Sequence, residues 1–172
     1  LLEDLKLLPN LITKYINEYD YSNIAEILKD KEHIFYLGRG IDYYLSMEGS
    51  LKLKEISYIH SEAFQAGELK HGSISLIDKD FGVVSVVTDK TISDKTISNL
   101  KEVSARGAKI ITITNIKDNN FADYTILVED YDEILNPLLV IVPMQMLAYN
   151  VAKLRNCDID KPRNLAKSVT VE

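Results

Sequence analysis

Three charged residues after the first predicted strand are the strongest candidates for chemistry in this chain of 172 residues. On an α-helix, with about 100° per residue, Glu48, Lys52 and Glu55 fall on one narrow stripe, and their spacing lets the lysine reach both carboxylates. Apolar residues such as Ile41 and Ile59 fall on the same side, which predicts that the stripe faces the core. The positions predicted to face solvent are Tyr43, Ser46, Ser50, Lys54 and Ser57. Because buried charges are costly unless paired, the stripe is either a structural ion network or the lining of a site.

The turn Gly38-Arg39-Gly40 stands between a predicted strand and the start of that helix. Backbone N–H groups and the helix dipole favour anions at such a position. A dinucleotide-binding fingerprint requires a third glycine, and position 43 is Tyr. A tight turn is therefore the simpler interpretation, while Arg39 remains a candidate ligand contact. We expect the charged stripe to converge on one concave surface near this turn.

Histidine is the residue type best suited to proton transfer near neutral pH. His71 lies in the polar segment 68–72 and is a candidate general acid or base, with an ordinary surface role as the alternative. His33 and His60 are expected to make capping or solvent contacts. The three histidines are far apart in the sequence and show no metal-ligand spacing, so the sequence predicts no metal site.

The final segment, residues 156–172, carries apolar residues that suit packing over the domain better than a solvated coil. Lys167 within it is either an ordinary surface charge or an amine in a dry pocket that forms an imine with a carbonyl substrate. Cys157 is the only cysteine, which excludes an intrachain disulfide and a cysteine-based zinc cluster. Its solitary occurrence favours a reducing compartment such as the cytosol.

Apolar runs rich in β-branched residues alternate with helical patterns along the chain. The predicted strands are 33–37, 81–88, 109–114 and 124–128, and the predicted helices are most of 1–30, then 41–60, 90–106 and 133–155. Strands that are apolar throughout favour a parallel sheet covered on both faces. The expected fold is α/β, a doubly wound parallel sheet flanked by helices. We expect an N-terminal helical segment at 1–30, a main domain at 31–155 and a tail at 156–172.

The composition excludes several classes of protein. Hydrophobic residues make up 46% and charged residues 27%, which excludes extensive disorder. The formal charge of −6 provides no general attraction to nucleic acid or to an anionic membrane. The most apolar run, 134–142, is too short to span a bilayer, so we expect a soluble cytoplasmic protein. Because the sequence begins without Met, directly in an amphipathic helical pattern, we expect it to belong to a longer polypeptide.

Four motifs follow one another along the chain in a characteristic order. They are LGRG at 37–40, EGSLKLKEISYIH at 48–60, GELKHG at 67–72 and KPRNLAKSVTVE at 161–172. Together they resemble the glucosamine-6-phosphate synthases, the isomerizing glutamine:fructose-6-phosphate aminotransferases, over about the whole chain. Enzymes of that family have a glutaminase domain followed by two sugar isomerase (SIS) domains. The resemblance implies that 31–155 is the second SIS domain and that 156–172 is a catalytic tail.

The same resemblance implies catalytic roles. Glu55 would move the proton between C1 and C2 of fructose 6-phosphate, and Lys52 would assist the acid–base chemistry. His71 would help open the sugar ring, acting in the active site of the neighbouring subunit of a homodimer. Lys167 would form the Schiff base with the substrate.

Substrate binding and partners are implied in the same way. Glu48, Arg39 and Ala166 would contact the substrate, while the loop that holds the sugar phosphate would belong to the first SIS domain. The expected partners are fructose 6-phosphate and the glutaminase and first SIS domains of the same polypeptide. No cofactor is expected.

Two other classes share features with this sequence. A regulator's SIS module that senses a sugar phosphate without turnover would share the sheet, but it would not need an imine-forming lysine in the tail. A flavodoxin-like or receiver-type domain would also be α/β. The lack of an acidic cluster at the end of the first predicted strand counts against that class.

Overall fold

A computed structural model describes residues 1–165 of the chain. The strands are β1 (His33–Gly38), β2 (His60–Gln65), β3 (Gly82–Val87), β4 (Lys109–Thr114) and β5 (Tyr124–Leu127). They form one five-stranded parallel sheet in the order β2-β1-β3-β4-β5. The direction of the strand order reverses between β1 and β3. In open α/β sheets, ligands bind at such a switch point, beyond the carboxyl ends of the strands.

Helices cover both faces of the sheet. They are α1 (Leu2–Asn17), α2 (Ser22–Leu28), α3 (Ile41–Ser57), α4 (Ser93–Ser104) and α5 (Asn136–Leu154), with 3₁₀ turns at Glu68–His71 and Ser73–Leu76. One core cluster joins α1, α2, α3 and α5 to one face of the sheet, and a second joins α4 and the 3₁₀ turns to the other. The expected doubly wound α/β fold is therefore confirmed.

Strand β2 is a structural element that the sequence patterns did not reveal. The helix predicted for 41–60 ends at Ser57 because Tyr58 adopts a left-handed conformation with φ of 62°. The chain then pairs with β1 from the register His33↔His60 onward. Because β2 is an edge strand of sequence His-Ser-Glu-Ala-Phe-Gln, it lacks the continuous apolar pattern of the central strands.

Helix α5 has 19 residues and is long and apolar enough, by length and composition, to cross a membrane. In the fold, however, it is a core helix that packs against α1, α2 and α3. Its residues Leu139, Met144 and Leu147 are completely buried. Burial in the protein core accounts for its apolar composition.

Candidate functional site

Helix α3 presents small side chains to the core. Ser46, Ser50 and Ser57 are buried, so the expectation that serines face solvent and the charged stripe faces the core is wrong. Small residues are needed because α3 lies close against α5: a Cβ added at Gly49 would come within 2.6 Å of Met144 Sδ. Two of the buried hydroxyls are hydrogen-bonded, Ser50 to Ser61 Oγ at 3.1 Å and Ser57 to a carbonyl of its own helix at 2.6 Å.

The outer side of α3 carries Glu48, Lys52 and Glu55, here called the Glu–Lys–Glu cluster. Lys52 Nζ lies 2.8 Å from Glu55 Oε2 and 3.6 Å from Glu48 Oε1, which confirms that the lysine reaches both carboxylates. The exposed fractions of the side chains are 40% for Glu48, 33% for Lys52 and 26% for Glu55. The cluster is therefore accessible to a ligand and does not resemble an ion network buried in the core.

The charge state of Lys52 follows from these contacts. The hydrogen bond to Glu55 raises the pKa of Lys52 above its usual value, partial burial opposes the rise, and the charges of both carboxylates add to it. The amine is consequently an ammonium group across the neutral range. It can donate a hydrogen bond or neutralise developing negative charge.

Apolar side chains surround the cluster on the exposed side of α3. Tyr44 is 64% exposed, Ile41 48%, Met47 47% and Leu51 41%. Ile41 is one of the apolar residues that made the stripe look core-facing in the sequence, whereas Ile59 is buried beyond the end of α3. Exposed apolar groups rimmed by polar residues are typical of surfaces that another structural unit covers.

Arg39, at the turn that precedes α3, is held by other parts of the chain. Its Nη2 donates to Asn99 Oδ1 at 3.0 Å, and the guanidinium occupies the space over Gly67, where an added Cβ would lie 2.3 Å from Nη2. Glu55 follows Gly40 by fifteen residues, about 22 Å along a helix. The expectation that the charged stripe converges near this turn is therefore wrong in position. The role of Arg39 as a substrate contact stays a prediction.

Asp42 is a buried charged residue that sequence reasoning missed. It is 3% exposed and accepts hydrogen bonds from Thr88 N at 2.8 Å, Thr88 Oγ1 at 2.6 Å and Asp89 N at 3.1 Å. Burial raises the pKa of Asp42, and the three hydrogen bonds oppose that rise. The carboxylate fastens the start of α3 to the loop after β3 at the switch point. No sequence signal identifies that loop as its partner, because 46 residues separate Asp42 from Thr88.

His71 stands at the surface, at the end of the first 3₁₀ turn. Its side chain is 76% exposed, and its Nε2 lies 4.0 Å from Glu68 Oε2. Leu69, in the same turn, is buried in the core and anchors this segment. An exposed imidazole on an anchored turn is available to another surface, and its role in ring opening remains a prediction.

His33 and His60 are neighbours in the fold. Their Nδ1 atoms lie 3.2 Å apart because the two residues are register partners on β1 and β2. The separation of His33 and His60 in the sequence therefore did not indicate that they are neighbours in the fold. Within residues 1–165, no group of three or more His, Cys, Asp or Glu side chains is arranged to hold a metal ion.

The tail is described as far as Leu165, and its start is fastened to the end of α3. The backbone N–H of Arg163 donates to Tyr58 Oη at 2.9 Å, and the guanidinium carbon lies 4.1 Å from the centre of the Tyr58 ring. We call this pair the Tyr58–Arg163 clasp. The predicted site residues Ala166 and Lys167 lie outside the described residues.

Curated relatives of this chain are isomerizing glutamine–fructose-6-phosphate aminotransferases. The enzyme of Clostridium tetani is 52% identical over 145 residues, which cover 83% of this chain and 24% of that protein. The enzyme of Methanosarcina acetivorans is 47% identical over 173 residues, covering 98% of this chain and 28% of that protein. The chain thus spans about a quarter of the length of these relatives.

A solved structure gives the corresponding similarity in three dimensions. The C-terminal domain of glucosamine-fructose-6-phosphate aminotransferase from Francisella tularensis superposes with a TM-score of 0.85 at 39% identity. The match covers 92% of this chain and 46% of that one. The strand order alone does not separate this fold from flavodoxin-like domains, which share it. The sequence profile does so, since that of the SIS domain matches residues 27–155. The chain therefore belongs to the SIS domain family.

Proposed function

We propose that this chain is the second SIS unit, with its catalytic tail, of an isomerizing glutamine:fructose-6-phosphate aminotransferase. The observation that carries the proposal is the Glu–Lys–Glu cluster, which is paired, partly exposed and set in an apolar surface. A 1,2-proton shift in a sugar needs a carboxylate beside the reacting carbon and a cation close by. The close similarity to aminotransferases of this activity supports the same assignment.

In the proposed reaction, Glu55 accepts the proton from C1 of the substrate imine and returns it at C2. The Lys52 ammonium group, 2.8 Å from Glu55, pairs with that carboxylate and stabilises negative charge on the substrate. Lys167 condenses with the carbonyl group of fructose 6-phosphate with loss of water. The resulting imine makes the C1 proton more acidic. Attack of ammonia at the imine carbon, C2, then releases the Lys167 amine and leaves the ammonia nitrogen on the sugar.

Further residues of the proposed site bind the substrate or open the ring. Glu48, on the same face of α3, contacts the sugar, and Ala166 is a further proposed contact. Arg39 is proposed to contact the part of the substrate nearest Glu48, since Glu48 follows Gly40 by only eight residues, about 12 Å along a helix. His71 assists ring opening from the neighbouring subunit of a homodimer, which its exposed position favours. The phosphate group is held by the first SIS domain, and ammonia comes from the glutaminase domain of the same polypeptide.

The exposed apolar residues around the cluster support this division of labour. A surface that includes Tyr44 and Leu51 is suited to contact with a second SIS domain or with another copy of the chain. The whole enzyme, with its 31–155 SIS domain and 156–172 tail, is proposed to act in the cytoplasm.

Borohydride trapping of the complete polypeptide tests the proposal against a sugar-phosphate sensor. With fructose 6-phosphate, reduction should attach the sugar to Lys167, and Lys167→Ala should abolish the label. Lys161→Ala is the matched control, because it removes an amine six positions away in the same segment. Saturable binding of the sugar without a trapped imine would instead favour a regulatory module. A label that persists after Lys167→Ala would place the Schiff base on another residue.

A further inference from the structure

We propose that the Tyr58–Arg163 clasp is a positioning device that holds the root of the terminal segment beside the Glu–Lys–Glu cluster, so that the imine-forming amine meets its carboxylate. The inference rests on the proposed function for the identity of that amine. It assigns to Tyr58 and Arg163 a role that is distinct from contact with the substrate.

The clasp fixes one point of the backbone in two ways. The Arg163 N–H donates to Tyr58 Oη at 2.9 Å, and the guanidinium of the same residue lies over the ring at 4.1 Å. A cation over a tyrosine face and a main-chain hydrogen bond to its hydroxyl constrain position and direction together. The contacts are made at the surface, since Arg163 is exposed, so their contribution to global stability is modest.

Tyr58 occupies a backbone position where glycine is the usual residue. It is the C-cap of α3, with φ of 62° and ψ of 16°, in the left-handed region. An aromatic residue is uncommon there because its Cβ is crowded in that conformation. Strained residues of this kind often have a functional side chain. The side chain of Tyr58 contacts the tail through its hydrogen bond with Arg163.

Each residue of the clasp lies close in sequence to a residue of the proposed reaction. Tyr58 follows Glu55 by three residues, about 4.5 Å along a helix. Lys167 follows Arg163 by four residues, which span at most about 14 Å in any conformation. A second tether lies at the same end of α3, where Arg155 Nε donates to the Ser57 carbonyl at 3.0 Å. The length of the chain therefore allows the proposed amine of Lys167 to reach Glu55.

Anchoring the tail at Arg163 matters because the imine-forming lysine and the carboxylate base must act on the same substrate molecule. Holding two catalytic groups in register raises their effective concentration, and a displacement of about 1 Å can cost roughly 10²-fold in rate. The clasp would thus affect the chemical step and leave binding of the sugar phosphate to the first SIS domain nearly unchanged.

The test compares Tyr58→Gly with wild type in the complete polypeptide. Glycine is favoured in the left-handed conformation, so the end of α3 should be retained and the melting temperature should not fall. We expect imine trapping at Lys167 to slow by about 10²-fold, kcat to fall with little change in KM, and amide exchange in residues 158–165 to quicken. Tyr58→Phe, which keeps the ring and loses the hydroxyl, should give an intermediate effect.

Asn156→Gly is the matched control, because Asn156 is also left-handed, with φ of 56°. It lies upstream of Arg163, where the clasp still fixes the chain, so trapping and exchange should stay at wild-type values. Unchanged trapping and unchanged exchange in Tyr58→Gly would overturn the inference. Absence of any imine at Lys167 in wild type would refute the proposed function instead, and the exchange measurement alone would then decide whether the clasp anchors the segment.

Discussion

Lys52 lies between two carboxylates, and its ammonium group hydrogen-bonds the nearer of them, Glu55. Since that bond raises the pKa of the amine, the role proposed for Lys52 is that of a hydrogen-bond donor and counter-charge, not that of a base. Glu55 is also the less exposed of the two carboxylates. The assignment of the proton-accepting role to Glu55 therefore agrees with its closer pairing and its greater burial.

Removal of the Glu55 charge should lower the pKa of Lys52. In Glu55→Gln the largest cause of the raised pKa is lost, so the amine should titrate closer to 10.5 than it does in wild type. Because the pKa of Lys52 is raised in the folded protein, the Lys52 ammonium group stabilises the fold fully at pH values below its unfolded pKa. This stabilisation is lost as the pH rises through the folded pKa. We therefore expect this loss of stability only at alkaline pH, above about 10. NMR titration of the Lys52 side chain measures the shift, and equal pKa values in the two proteins would contradict the pairing.

Asp42 should be important for stability, although it takes no part in the proposed chemistry. In Asp42→Asn, only one acceptor oxygen remains for three donors, so at least one of Thr88 N–H, Thr88 O–H and Asp89 N–H loses its partner whichever way the amide is turned. Leaving buried donors unsatisfied costs about 1 to 3 kcal/mol in the free energy of unfolding. Urea denaturation measures this loss, with exposed Asp118→Asn as the control that should change little. Equal stability of the two variants would show that the buried hydrogen bonds at Asp42 are dispensable.

At the scale of elements, the orientation of α3 shows where sequence reasoning succeeds and fails. The central strands were predictable because β1, β3 and β4 are nearly continuous apolar runs. The buried face of α3 was not predictable, because its small residues, such as Ser46 and Gly49, are weakly hydrophobic. The exposed Tyr44, in contrast, is a large apolar residue that resembles a core residue in the sequence. A helix that contacts a core on one side and another unit on the other shows two apolar faces in its sequence. The spacing of the charged cluster was still informative, because it depends only on helix geometry.

The β1–α3 turn depends on close approach of two backbone segments at Gly38. A Cβ at Gly38 would lie 2.4 Å from the carbonyl carbon of Asp42, and backbone atoms of the first helical turn cannot move aside. We expect Gly38→Ala to destabilise the fold by about 3 kcal/mol or more. Gly67→Ala is the matched comparison, because its Cβ would meet only the guanidinium of Arg39, which can rotate away. Thermal unfolding should show a much smaller loss for Gly67→Ala, and similar losses would contradict the close approach at Gly38.

At the scale of the whole molecule, the exposed apolar side chains support the proposal that this unit contacts other domains or a second copy. They occur on α3 and also on α1, where Leu2 is 74% exposed and Leu5 49%. Local patterns in the sequence do not indicate the proposed pairing partner or the phosphate-binding loop, because both are proposed to lie outside this unit. Both were inferred from the resemblance of the four sequence motifs to a known family.

Self-association is the expected consequence of these surfaces. Closed symmetric dimers are the commonest soluble assemblies, and the proposed action of His71 in a neighbouring site requires one. Light scattering on the complete polypeptide should give the mass of a dimer at micromolar concentration. A monomer at high micromolar concentration would contradict the role of His71 in a second subunit and would leave the fold unaffected.

The central claim is that Glu55 transfers the proton in a sugar-phosphate isomerisation, and Glu55→Gln in the complete polypeptide tests it most directly. The measurement is incorporation of deuterium from heavy water at the reacting carbons of fructose 6-phosphate, together with substrate binding. Glu62→Gln, at an exposed carboxylate of β2, is the control. We expect binding to be retained and exchange to fall by about 10²- to 10⁴-fold in Glu55→Gln, with wild-type exchange in the control. Exchange at the wild-type rate in Glu55→Gln would contradict the claim.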